Sequence, residues 1–351
     1  MRTILSVVGT RPELIQAAPV SRALAGRCRE VVLHTGQHYS PALSGDLIDE
    51  LGVGVHRWLD VGSGSHAEQT ARTLLGVESA IVAERPDIVL LRGDTNSTLG
   101  AALAAAKTLV PIAHTEAGAR SFDRTMPEEL NRLVVDRLAK VLCCSSDQGL
   151  ANLAAEGIVT GVRVTGDVTV DAVNANVPSE RDAEAVAAEL GLARDAFALA
   201  TLHRAANTDD PTRLSAILAG LGGLGVPVVL SLHPRTAAAM SREGVMAPPS
   251  VRVSEPFGYR TMLALLRLAR VLLTDSGGLQ KEAYVLGTPC ITLRESTEWT
   301  ETVTAGWNRL AGADPERIVA LARDFIRPST RAPLYGDGQA ASRIADAVLE
   351  S

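Results

Sequence analysis

Apolar positions fall along this chain in short contiguous runs separated by segments whose apolar residues recur at helical spacing. Thr3 to Val8 is a β-branched run that stops at Gly9. Thr10-Arg11-Pro12-Glu13 then has capping-box spacing with proline in the first turn, which predicts a helix to about Leu24. Runs at Val31 to His34, Ile88 to Leu91, Ile112 to His114, Val141 to Cys144 and Val162 to Val164 predict further strands alternating with Ala/Leu-rich helices. After Gly166-Asp167 the pattern changes: Val168 to Val177 is read as a connector and Pro178 to Leu190 as a charged helix. A second alternating series follows, with strands at Phe197 to Leu202, Val228 to Leu232, Val251 to Val253, Val271 to Thr274 and Cys290 to Leu293. Strand-helix alternation of this kind predicts an α/β chain of mostly parallel sheets covered by helices. Two doubly wound domains, 1–167 and 168–338, with a cleft between them are expected.

Length and charge narrow the partners. At 351 residues there is material for two buried cores. With 46% hydrophobic but 3% aromatic residues, the composition suits a soluble α/β protein. A net charge of -6 argues against nonspecific nucleic-acid binding, so any anion site must be a local cluster. Cys28, Cys143, Cys144 and Cys290 lack the spacing of a zinc site or redox motif and read as core thiols in a reducing compartment. The N-terminus shows no signal-peptide pattern, and no apolar run is long enough to span a bilayer. The expected location is cytoplasmic, with no membrane partner.

In open parallel sheets, ligands bind beyond the carboxyl ends of the strands, and the polar residues there are the first candidates. The richest stretch is Val271 to Glu282: a strand ends at Asp275, Ser276 stands as a cap, and Gly277-Gly278 open a helix. The unpaired amides and positive dipole end of such a helix favour a diphosphate, while Glu282 on the same helix suits sugar hydroxyls. Other strand ends carry Arg11, Gly93-Asp94-Thr95, His114-Thr-Glu116-Ala-Gly118, His203-Arg204, His233-Pro-Arg235 and Glu255-Pro256. Pro127 opens a helix that puts Glu128 and Arg132 four apart on one face. Each has a plainer reading as well. Glu128 with Arg132 fits a surface helix pair, Glu13 a cap, Asp94 a turn residue, and His38 or His56 a solvated loop.

Taken in order, Gly9-Thr-Arg-Pro-Glu13, Gly93-Asp-Thr95, His114-Thr-Glu-Ala-Gly118, Pro127-Glu-Glu-Leu-Asn-Arg132, His203-Arg204, Asp275-Ser-Gly-Gly278 with Glu282, and Tyr335-Gly-Asp-Gly338 span nearly the whole chain. Together they resemble the non-hydrolysing UDP-N-acetylglucosamine 2-epimerases. The resemblance implies two Rossmann-like domains facing a central cleft, the glycosyltransferase-B architecture, with the last helix, about 339–351, packing back on the first domain. It also implies a homodimer acting on a UDP-sugar, with no metal and no other cofactor. The implied reaction inverts C2 of the sugar by eliminating and re-adding UDP. Asp94, Glu116 and Glu128 match the family's catalytic carboxylates, and Arg132, His203 and Arg11 its active-site or diphosphate contacts. Ser276, Gly277, Gly278 and Glu282 match its UDP site, to which His233 and Glu255 are added from their strand-end positions.

Some positions depart from the family pattern. Gln16 stands where many members have lysine, two alanines enter Thr201 to Asn207, and Met262 falls near a usual aromatic position. Glu295 to Val303 with Gly306-Trp-Asn308 resembles a branch that includes epimerases of diacetamido uronic-acid UDP-sugars. The expected substrate is UDP-N-acetylglucosamine. A diacetamido uronic-acid substrate, a hydrolysing 2-epimerase, a glycosyltransferase and a noncatalytic sensor are the alternatives. Bacterial members often need a second UDP-N-acetylglucosamine as activator. Here the corresponding Gln37-His38-Tyr39-Ser40 and Gly62 to His66 lack the arginines, so weak activation is expected.

Overall fold

Strand β1 (Thr3–Val8) is buried from Ile4 onward because it lies inside its sheet, with helices on both faces. In the computed structural model, which describes residues 1–37 and 41–351, β1 is followed by α1 (Arg11–Leu24), β2 (Arg29–His34), α2 (Pro41–Leu51), β3 (Arg57–Trp58), α3 (His66–Glu84), β4 (Ile88–Arg92) and α4 (Asn96–Lys107). Then come β5 (Ile112–Thr115), α5 (Pro127–Leu138), β6 (Val141–Cys144), α6 (Asp147–Ala155), β7 (Val162–Val164) and α7 (Val168–Asn176). The sheet order is β3-β2-β1-β4-β5-β6-β7, with its pairings parallel. Alternate residues face opposite layers, as the two-residue strand period requires. Ile4, Ile88 and Leu90 pack with Val20 and Leu24 of α1, while Leu5, Val89 and Leu91 pack with Val77, Ala101 and Ala105.

The second sheet follows the same logic. Its elements are α8 (Glu180–Glu189), β8 (Ala198–Leu202), α9 (Ala205–Thr208), α10 (Pro211–Gly222), β9 (Val228–Leu232), α11 (Pro234–Glu243), β10 (Val251–Ser254) and α12 (Tyr259–Leu268). They continue with β11 (Val271–Thr274), α13 (Gly277–Leu286), β12 (Cys290–Thr292), α14 (Thr300–Thr304), β13 (Asn308–Leu310) and α15 (Pro315–Arg323). Its order is β10-β9-β8-β11-β12-β13, with parallel pairings. Helix α16 (Ala340–Glu350) returns to the first unit, where Ile344 and Val348 join Val20 and Leu24.

The chain divides into Met1–Ala175 with Pro333–Ser351, and Asn176–Ala332. The segment read as a connector, Val168 to Val177, is largely helix α7 and belongs to the first unit up to Ala175. Val168 is in the first unit's core, and Asp171 accepts hydrogen bonds from the Ala340 and Ala341 amides at the start of α16, at 3.2 and 3.1 Å. The division therefore falls after Ala175 rather than Asp167. Strands β3 and β13 were not expected. Each is an edge strand of two or three residues with little apolar character, so periodicity carries no signal for it.

Candidate active site

In the first unit, strand register brings two loops together. β4 and β5 pair with Leu91 opposite His114 and Arg92 opposite Thr115, which sets Gly93-Asp94 beside Glu116. A Glu116 carboxylate oxygen lies 3.4 Å from where a Cβ on Gly93 would stand. Glu116 itself has φ +61, the left-handed region that costs a non-glycine residue free energy. Its neighbours hold it there: the Ala117 amide donates to the Cys143 carbonyl at 3.2 Å and the Gly118 amide to Asp136 Oδ2 at 3.1 Å.

Helix α5 supplies the framework for both loops. Arg132, 3% exposed, reaches Asp94 Oδ2 with Nη2 at 2.5 Å and Glu129 Oε2 with Nη1 at 2.9 Å. Asn131 Nδ2 donates to the Asp94 carbonyl at 2.8 Å. Glu129, also buried, accepts from the Ser121 amide and hydroxyl and from the Phe122 amide. Glu128 is half-buried in the first turn of α5, and Arg11 is half-buried as the first residue of α1. The plain reading of Glu128 with Arg132 as a surface pair is thus corrected, since Arg132 is buried and tied to Asp94 and Glu129. The sequence reading missed Glu129, Asn131 and Asp136 as site-forming residues. Their signal was available, because polar Glu129, Arg132 and Asp136 at i, i+3 and i+7 share one helix face.

Glu13 does more than cap. Its carboxylate accepts from the Gly9 and Thr10 amides at 2.5 and 3.1 Å, and from the Thr95 and Thr98 hydroxyls at 2.8 and 3.3 Å. It therefore ties the start of α1 to the turn after Asp94. Burial pushes its carboxyl up to about 7, helped by the charge of Asp94 and opposed by those hydrogen bonds.

In the second unit the centre is Asp275, which is fully buried. β8 and β11 pair with Thr201 opposite Thr274, their hydroxyls 2.6 Å apart, so Asp275 ends beside His203. Asp275 accepts from the His203 and Arg204 amides at 3.0 and 2.9 Å, from Asn207 Nδ2 at 3.2 Å, and faces His203 Nδ1 at 3.0 Å. Burial works against its charge, but the His203 ring and the amides win and hold it at about 2. An ionised Asp275 accepts a hydrogen bond from His203 Nδ1–H, which leaves Nε2 of His203 facing away from the carboxylate. The sequence reading had Asp275 only as a motif position.

The neighbouring turn starts α13. Ser276 Oγ accepts from the Leu279 amide at 3.4 Å, a long but recognisable N-cap. A Cβ on Gly277 would stand 2.5 Å from a Glu298 carboxylate oxygen, so the close approach requires glycine. Gly278 follows in the first turn, and Glu282 is buried further along the same helix. Buried Lys281 sets its Nζ 4.2 Å above the Trp299 ring. His233, exposed, caps α11, with its ring 5.5 Å from that of His203. Glu255 is exposed just beyond edge strand β10. Among the described residues no three His, Cys, Asp or Glu side chains form a group able to hold a metal ion. His38 to Ser40, part of the expected activator loop, lie outside the described residues.

The model of the UDP-N-acetylglucosamine 2-epimerase family matches residues 22–349. A UDP-2,3-diacetamido-2,3-dideoxy-D-glucuronate 2-epimerase from Pseudomonas aeruginosa is 43% identical over 355 residues, covering 98% of each chain. A UDP-N-acetylglucosamine 2-epimerase from Methanococcus maripaludis is 36% identical over 356 residues, covering 98% of this chain and 97% of that one. Among solved structures, the Methanocaldococcus jannaschii UDP-GlcNAc 2-epimerase in complex with UDP-GlcNAc and UDP aligns over 100% of both chains at 36% identity, with a TM-score of 0.94.

Proposed function

The chain belongs to the UDP-N-acetylglucosamine 2-epimerase family, and from that membership we propose that it interconverts the C2 epimers of a UDP-N-acetylhexosamine without net hydrolysis. The observation that carries this reading is the gathering of Asp94, Glu116 and Arg132 at adjoining strand ends, with Glu116 kept at φ +61. Strain at a carboxylate that packs beside Gly93 of another loop fits a reacting group better than a structural one.

The hydrogen on C2 has no carbonyl next to it and is not acidic in the resting sugar. The C1–O bond therefore breaks first, its electron pair leaving with UDP, and positive character at C1 acidifies the C2 hydrogen. A carboxylate takes that proton, the C2–H electrons form a C1–C2 double bond, and a 2-acetamidoglucal results. Proton delivery to the opposite face of C2 with return of UDP to C1 gives the epimer. We assign proton exchange to Asp94, Glu116 and Glu128, with Arg132 fixing the orientation of Asp94. His203, His233 and the amides at Gly277 and Gly278 meet the charge on the leaving diphosphate. Ser276 shapes that turn and Glu282 takes ribose hydroxyls.

Incubation with UDP-N-acetylglucosamine in deuterated water tests the reading. Deuterium at C2 of UDP-N-acetylmannosamine, with no free sugar accumulating, is expected. Accumulation of free N-acetylmannosamine would mean hydrolysis, and an unchanged substrate would remove the assignment. A second reading, a UDP-diacetamido-glucuronate substrate, is favoured by the 43% identical relative. Comparing kcat/KM for the two UDP-sugars decides between them. A cytoplasmic homodimer completes the reading, supported by four free cysteines and by exposed Leu130, Val134 and Leu138 along α5. Light scattering of the purified protein tests the dimer.

A further inference from the structure

One buried charge near the acid–base residues has no part in that chemistry. His114, at the end of β5, is 1% exposed. Its Nε2 lies 2.8 Å from the Gly93 carbonyl oxygen, and a carbonyl has no proton to give, so Nε2 carries one. Its Nδ1 lies 2.7 Å from Asp136 Oδ1. The other oxygen of Asp136 accepts from the Gly118 amide and, at 2.8 Å, from Arg120 Nη2. Burial opposes the charge on Asp136, but the His114 ring and Arg120 hold its carboxyl below the usual range, so Asp136 accepts at both oxygens and Nδ1 donates as well. Arg120 is anchored in turn by both oxygens of Glu156, at 2.7 and 2.9 Å.

A ring that donates from both nitrogens is an imidazolium. Burial opposes that charge, but Asp136 first, then the Gly93 carbonyl and the charge of Glu116, outweigh it and raise the pKa above the usual histidine value. Burying a cation with its partner brings little net stability, so stability does not account for the arrangement. Its connections do. Gly93 directly precedes Asp94, Glu116 lies two residues beyond His114, and Asp136 sits one turn after Arg132 on α5.

We propose that His114 is a positioning residue: an imidazolium at neutral pH that locks the Gly93-Asp94 turn to α5 and to the Glu116 loop. It thereby keeps Asp94 and Glu116 in register while a proton comes and goes. Both ring nitrogens are engaged, so His114 does not itself exchange protons with substrate. The proposal rests on the reading of Asp94 and Glu116 as acid–base groups, but its first test does not. The charged and titratable groups facing the ring are Asp136, Arg120 beyond it, and Glu116. A neutral ring has one N–H and must release either the Gly93 carbonyl or Asp136.

The direct test is a long-range proton–nitrogen spectrum of the histidine rings at neutral pH, with His114 assigned from the His114→Asn variant. Both ring nitrogens of His114 protonated is the expected result, and Asp136→Asn should convert it to a neutral ring in the same pH range. A neutral His114 in the native protein overturns the proposal whatever the enzyme does. The second test is the pH profile of kcat for C2 exchange. His114→Asn and His114→Gln should each lower kcat about tenfold or more, with the affinity for UDP within about twofold. In Asp136→Asn the alkaline limb should move to lower pH, because the group that raises the ring's pKa is gone. Variants that melt earlier but keep native kcat and the native limb would show a structural role alone and overturn the proposal. If the native protein exchanges no C2 hydrogen while the ring is doubly protonated, the acid–base reading fails and the lock stands.

Discussion

Glu13 and Asp275 are buried carboxylates in comparable places, each beside a strand-to-helix turn of its own unit, and each accepts two backbone amides. Yet one is pushed up to about 7 and the other held at about 2. Burial acts in the same direction on both. The partners differ: Asp275 faces the His203 ring besides amides and Asn207, whereas Glu13 has neutral amides and hydroxyls and the like charge of Asp94. Burial therefore sets the size of the electrostatic cost, and the partners that fold beside the group decide whether it stays ionised. In the first unit a buried carboxyl beside Asp94 thus keeps a proton affinity near neutrality, while in the second a buried carboxylate stays charged beside the start of α13.

The largest effect should separate those roles. Asp94→Asn, Glu116→Gln and Glu128→Gln should each cut turnover by about two orders of magnitude or more, the scale of a lost acid or base. UDP affinity measured by calorimetry should stay near native in all three. Native turnover in all three would erase the distinction between the units.

Next comes Asp275→Asn. It leaves the His203 and Arg204 amides and the His203 ring facing a neutral group inside the protein, and should cost roughly 2–3 kcal/mol in urea unfolding, together with weaker UDP binding. A stability change near zero would mean that the buried charge contributes nothing.

The native protein should show the same charge in acid. Asp275 has its pKa depressed from 3.8 to about 2, so its contribution is present above 3.8 and is lost as pH falls toward about 2. Integrated over that window the loss is roughly 2 kcal/mol. Unfolding free energies measured down this range for native and Asp275→Asn should converge as pH falls, and parallel curves would contradict the assignment.

Glu13→Gln should give the smallest change at neutral pH, because the amide keeps one oxygen for the Gly9 and Thr10 amides and the Thr95 hydroxyl can turn to accept. What should change is slope. A carboxyl raised from 4.5 to about 7 binds more protons folded than unfolded, so its contribution to stability falls as pH rises through that window. The variant should lack this component, and an unchanged slope would place the folded pKa of Glu13 near its unfolded value.

Local order in the chain determined much of this protein. The β1 run, the capping box at Thr10 to Glu13 and the cap-glycine start of α13 depend on contiguous residues, so their periods and caps are readable without knowing the rest. The same holds for the strand ends that carry Asp94, Glu116, His203 and Ser276. The tertiary structure alone decided which of these residues meet. The β4–β5 register sets Glu116 against Gly93, and the β8–β11 register sets His203 against Asp275. The left-handed backbone of Glu116, the reach of Glu13 to Thr95 and the double donation of His114 follow from contacts made by residues distant in sequence. Helix α7 and edge strands β3 and β13 were missed for a related reason: their placement comes from neighbours in space, with little periodic signal of their own. Periodicity and capping are local properties, whereas the protonation state of a buried group is set by the charges that folding brings beside it.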